Sequence, residues 1–231
     1  MFVLALLGPA ASYGQARRHD GFVGQLHLGL GWCTDDACDE DNAIDAKLGT
    51  GASFGMFLGY RFPTPYVGVG ANWQYSLHPV DDDENWAEDA EAHSFAFDFG
   101  ARAHPLVRGP FDPWVGLGIG YAFAGSSWDN TQIDRSESSS LDGPAFVFSV
   151  GGDYWLSDRF AVGLAIRYML VFWSELCLET EYADLRWPDD TCAAPDEWDD
   201  RGLFVNLRGA RFSGDDLPDL VQFLLTGTFA P

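Results

Sequence analysis

The sequence predicts an all-β fold: a transmembrane antiparallel up-and-down β-barrel, most simply of eight strands, with ten as the alternative. Three observations predict it. Eight segments alternate bulky apolar residues with small or polar ones, the two-residue period of a strand. The connections between them run long, short, long, short, long, short, long, as in barrels that keep tight turns on one side of a membrane and loops on the other. Charge follows the same division: the four long connections hold the great majority of the 35 acidic residues and fewer than half of the 13 basic ones. A fold surrounded by water has no reason to sort charge by alternate connections.

The clearest segment is Trp114 to Phe123. Val115, Leu117, Ile119, Tyr121 and Phe123 share one face, and Gly116, Gly118, Gly120 and Ala122 the other. Three glycines would cost a helix roughly 1 kcal/mol each. The nearly empty second face fits a wall lining a narrow interior, with the apolar face turned to lipid. The other segments repeat the pattern in order. Phe22 to Trp32 sets Leu26, Leu28 and Leu30 against Gln25, His27 and Gly29; Gly51 to Phe62 sets Phe54, Met56, Leu58 and Tyr60 against Ser53, Gly55, Gly59 and Arg61. Tyr66 to His78 sets Val67, Val69, Trp73 and Tyr75 against Gly68, Gly70, Asn72 and Gln74, and His93 to His104 sets Phe95, Phe97 and Phe99 against Ser94, Asp98, Gly100 and Arg102. Pro144 to Leu156 opposes Phe146, Phe148 and Val150 to Ser149, Gly151 and Asp153, and Phe160 to Trp173 opposes Val162, Leu164 and Ile166 to Gly163, Ala165 and Arg167. Asp219 to Phe229 is the last. A run of about eleven residues, rising about 3.3 Å each and tilted near 40°, crosses a bilayer core. Aromatics gather near segment ends, Trp32, Trp73, Tyr75 and Phe95 at one rim and Tyr60, Phe62, Tyr66, Trp114 and Tyr154 at the other, as interfacial girdles do.

The chain has 231 residues, 47% hydrophobic and 15% aromatic, and a formal net charge of −22. That charge argues against nucleic acid as a partner and against docking on an anionic cytoplasmic leaflet. Phe2 to Leu7 is an apolar run, and Gly14-Gln15-Ala16 is a small-x-small cleavage site. Residues 1–16 are therefore read as a cleaved signal peptide and 17–231 as the barrel with four long acidic outer loops. No apolar run is long enough for a spanning helix; the nearest, Phe160 to Trp173, is interrupted by Arg167. Four cysteines in an exported chain point to disulfides Cys33–Cys38 and Cys177–Cys192, each within one outer loop. The spacings do not match a zinc motif.

On these segments the chain resembles the eight-stranded outer-membrane barrels of the OmpA and OmpX type. The resemblance covers Phe22 to Phe229 and rests on pattern. It implies location in the cell outer membrane, contact with outer-membrane lipid and lipopolysaccharide, and insertion by the barrel-assembly machinery, which reads a terminal aromatic; here Phe229 precedes Ala230 and Pro231. A monomer without cofactor or catalytic residues is the expectation.

Three constellations bear on function. The inward face carries Arg61, Asp98, Arg102, Asp153 and Arg167, with Arg61, Arg102 and Asp153 low and Asp98 and Arg167 near mid-height. Buried charges must pair, so these form a lumen ion-pair network, either a plug or part of a conducting path. Asp35-Asp36, Asp39-Glu40-Asp41 and Asp81 to Glu84 are solvated acidic loops, with weak divalent-cation binding as the other reading. His78, His93 and Ser94 near Glu91 contain the residue types of a barrel-wall lipid hydrolase, without a nucleophile motif. Leu176 to Tyr182 and Leu203 to Leu207 alternate again and are read as strand extensions forming a protruding hairpin. The expected function is a non-enzymatic surface barrel whose acidic loops serve adhesion or envelope interaction. A lipid-acting barrel enzyme and a small-solute pore are the alternatives. A soluble lipocalin-like carrier would need apolar residues facing inward.

Overall fold

A computed structural model describes residues 20–34, 50–63, 66–78, 88–105, 110–130, 135–182, 191–194 and 219–231. The signal-peptide reading and the acidic clusters at 35–41 and 81–84 lie outside these residues. Ten strands are present among the described residues: β1 (Gly21–Thr34), β2 (Gly51–Arg61), β3 (Val67–His78), β4 (Glu88–Ala103), β5 (Phe111–Asn130), β6 (Arg135–Trp155), β7 (Phe160–Val171), β8 (Glu175–Tyr182), β9 (Thr191–Ala193) and β10 (Asp219–Phe229).

Eight of them close the barrel. β1 through β7 pair in sequence, antiparallel, and β10 joins β7 to β1. Closure leaves no open edge, so every spanning backbone group can be paired where no water is available. The ten-stranded alternative is set aside: β8 and β9 stand on the outer half of β6 and take no part in closure. β8 continues the ladder of β7 along β6 after a break at Phe172–Ser174. Its hairpin partner is β9, with Cys177 opposite Cys192 and the two joined by a disulfide. Residues 203–207 and Cys38 lie outside the described residues.

Alternation places the side chains as the two-residue period requires. Leu117 and Leu164, on the outer face, are 64% and 69% exposed, while Arg167, one face over, is 2% exposed. An apolar band of this extent belongs in contact with lipid. Trp32 stacks on Phe223 with ring centroids 4.4 Å apart, and Tyr60 packs edge-on against Phe22 at 5.3 Å.

β4, β5 and β6 run further than the alternation indicates. β5 and β6 are 20 and 21 residues long. They take in residues 125–130 and 135–143 of the Ser-rich stretch, which reads from sequence as a loop, and β5 begins at Phe111, inside the Pro/Gly-rich turn. The physical reason is the same at both ends. Beyond the lipid neither face of a strand must be apolar, so the period-two signal disappears while the ladder continues. The short β6–β7 turn is held by Ser157, whose Oγ accepts from the backbone N–H of Arg159 (3.3 Å) and Phe160 (3.1 Å). After β10, the Ala230 N–H donates to the Arg159 carbonyl at 2.9 Å, and Ala230 is buried with Trp155 and Ala161.

Candidate functional site

The barrel interior collects the buried polar side chains, and strand register decides which of them meet. At the short-turn end Arg61 of β2 forms a buried ion pair with Asp112 of β5. His104 Nδ1 lies 3.0 Å from the other oxygen of the same carboxylate. This corrects the expected grouping of Arg61 with Arg102 and Asp153. Asp112 is absent from the sequence-derived set because its segment reads as a turn.

One level further in, Asp153 of β6 has no arginine in direct contact among the described residues. It accepts hydrogen bonds from Gln25 Nε2 (3.1 Å), Trp114 Nε1 (3.2 Å), Thr226 Oγ1 (3.2 Å) and Thr228 Oγ1 (3.1 Å). Arg102 is tied to it through Gln25: Arg102 Nη1 donates to Gln25 Oε1 at 2.7 Å, while the amide nitrogen of Gln25 reaches Asp153. The Arg102 guanidinium lies between two rings, 3.7 Å from the Phe57 centroid and 4.1 Å from that of Trp114. Such stacking suits a planar, weakly hydrated cation. Trp114 is therefore not part of the lipid-facing girdle. It is 1% exposed, on the inward face with Gly116. Phe57 also points inward. Both are legible by parity, since Phe57 and Trp114 fall on the small-residue faces of their strands.

Glycine makes room for these groups. A Cβ at Gly151 would stand 2.4 Å from the Trp114 ring, and one at Gly70 2.6 Å from the Phe57 ring. A Cβ at Gly118 would come within 2.9 Å of Asp98 Oδ1, and one at Gly163 within 2.6 Å of Asp153 Oδ1. The empty faces seen in the sequence are thus filled from neighbouring strands.

At mid-height Arg167 of β7 pairs with Asp98 of β4 across the lumen. Asn72 Nδ2 donates to the same carboxylate at 3.0 Å, and Arg167 Nη1 donates to Gln74 Oε1 at 3.3 Å. Gln74 Nε2 and Gln222 Nε2 converge on Ser53 Oγ, at 2.8 Å and 3.1 Å, and Ser53 and Ser76 share a hydrogen bond of 2.8 Å. A charged pair at this depth holds only where both partners are well hydrogen-bonded.

Beyond Asp98 and Arg167, towards the long-loop end, the interior changes character. Ala92, Ala96, Ala122, Ala124, Ala145, Val147, Met169, Val171, Trp173 and Leu220 form one buried apolar cluster. The inward face is thus not uniformly Gly, Ser, Asp and Arg, as the sequence alone suggests: β4 to β7 and β10 line the outer half with apolar groups. The opposite wall, β1 to β3, stays polar, and at its edge His78 Nε2 lies 3.3 Å from Ser94 Oγ of β4. His93 does not join them. It is on the lipid side of the wall, its ring 6.1 Å from that of Tyr75. The hydrolase constellation is split by the barrel wall. His27 bonds Gln25 Oε1 at 3.0 Å. Glu175, Cys177 and Cys192 lie close together, but the disulfide removes both thiolates as metal ligands.

Comparison with known proteins agrees with this geometry. The family model for the outer membrane protein beta-barrel domain matches residues 1–184. The chain belongs to that family. It is accordingly an outer-membrane barrel protein. Among curated proteins, uncharacterized proteins of Brucella abortus and Brucella melitensis are 26% identical over 159 residues, covering 58% of this chain. The chain spans about half, 56%, of the length of those relatives. Three solved structures share the fold. A major outer membrane protein from Thermus thermophilus matches at a TM-score of 0.58 and 11% identity, covering 89% of this chain and 98% of that one. Neisserial surface protein A matches at 0.52 and 11%, covering 91% and 97%. OprG from Pseudomonas aeruginosa matches at 0.50 and 13%, covering 93% and 99%.

Proposed function

We propose that this barrel is a non-enzymatic anchor with a closed lumen, whose acidic outer connections are its working surface in adhesion or envelope interaction. The observation that carries the reading is the filling of the lumen. The cavity between the Arg61–Asp112 level and the Asp153–Arg102 level is about 30 Å³, room for about one or two waters. Above it the Asp98–Arg167 level is followed by apolar packing from β4 to β7 and β10 against the polar wall of β1 to β3. A side-chain-filled interior is what eight strands accommodate. A rigid closed stave leaves the loops as the part free to meet partners. Their acidity favours basic surfaces and loose bridging to lipopolysaccharide through divalent cations. The barrel meets outer-membrane lipid on its sides, is inserted by the assembly machinery, and works as a monomer.

Cells displaying the protein test the reading when compared with cells displaying a variant in which Asp81, Asp82, Asp83 and Glu84 become Asn and Gln. Adhesion to a cationic surface should fall, with heat-modifiable gel migration unchanged. Equal adhesion by both would contradict it, and hydrolysis of phospholipid by the refolded protein would move the assignment to an enzyme.

A further inference from the structure

A trough crosses the lipid-facing wall of β4 to β7. Its two ridges follow from register. Ala101, Leu117, Phe148 and Tyr168 are consecutive cross-strand partners, and so are Ala103, Val115, Val150 and Ile166. Between the ridges run the strand segments at Arg102, Gly116 and Ser149, whose side chains belong to the inward face. The trough has a volume of about 570 Å³ and an almost wholly apolar lining. Ala101 and Ala103 leave it low at β4, and Val67 of β3, the partner of Ala103, bounds it beyond.

The trough also has a defined height. Ala103 ends β4 at the short-turn rim, and Val115 is four residues into β5, whereas Ile166 and Tyr168 lie six and eight residues into β7. It therefore starts at the periplasmic rim and rises to the membrane midplane. Because the surrounding band is the lipid-facing surface, the trough is continuous with an interface already occupied by acyl chains. Chains from the inner leaflet lie at this depth; chains from the outer, lipopolysaccharide leaflet fill the opposite half.

We propose that this trough is a binding site for one acyl chain of a periplasmic-leaflet phospholipid. A chain lying between the ridges buries methylenes against side chains on both sides, and each buried methylene contributes to retention. The proposed seat holds that lipid longer than the remainder of the wall does.

Native mass spectrometry of the detergent-solubilised protein, supplied with phosphatidylethanolamine, should show one phospholipid retained at activation energies that strip the rest. Ala101→Leu with Ala103→Leu fills the β4 end and should abolish that adduct. Ala52→Leu, an exposed position at the opposite rim, should keep it. Retention unchanged by the double substitution overturns the site, as does an adduct formed by lipopolysaccharide and not by phospholipid. The unmodified protein gives a second readout: a phospholipid with a photoreactive acyl chain should crosslink to peptides of β4 to β7. Even labelling around the barrel would overturn the proposal.

Discussion

Asp98 and Arg167 show most plainly what a residue-level change should do. The pair lies at mid-height, with Asp98 8% exposed and Arg167 2%. Asp98→Ala leaves Arg167 charged and uncompensated, and should cost about 3–5 kcal/mol in denaturant unfolding from detergent or liposomes. Asp98→Leu combined with Arg167→Met removes both charges at similar volume and should recover most of that loss. A double variant no more stable than Asp98→Ala would mean that the pair is needed for more than mutual compensation. Residue types and faces at this scale are readable from parity, because a strand leaves a side chain only two directions. Partners are not. Arg61 finds Asp112 and Arg102 reaches Asp153 only through Gln25 because partner choice depends on inter-strand stagger, which no single strand encodes.

For the strand elements, the alternation assigns Leu164 and Leu156 to the same lipid-facing surface at different depths. Leu164 is 69% exposed in the middle of β7, and Leu156 follows β6 at the periplasmic turn. Leu164→Arg should cost about 2–4 kcal/mol in liposome folding, and Leu156→Arg about 0–1 kcal/mol, since the penalty for a cation falls towards the interface. Equal costs at the two positions would contradict the placement of the bilayer. All eight barrel strands are legible within the lipid, where one face must be apolar. The outer halves of β5 and β6 are not, since beyond the lipid neither face of a strand must be apolar. β8 is visible in the alternation of Leu176 to Tyr182, but its three-residue partner β9 is too short to carry a period.

As a whole molecule, the barrel is, in the reading proposed above, closed by two unlike barriers in series. The first is the charged and hydrogen-bonded filling from Arg61 to Arg167. The second is the apolar cluster around Met169, Val171 and Trp173 beyond it. An ion entering from the periplasm would have to break paired charges and then pass alkyl groups lining one side of the lumen, so both barriers oppose the same step. The first barrier is legible in the inward Arg and Asp residues. The second is not, because Ala, Val and Met on an inward face carry no charge to mark them, and packing alone makes them a seal. One consequence separates the two: Asp98→Ala should weaken the fold without opening a conducting path, since the apolar cluster remains. Single-channel recording in planar bilayers, with Asp98→Ala beside the unmodified protein, tests the closed lumen most directly. Flat traces from both are predicted; stable, large conductance steps from the unmodified protein would contradict the account.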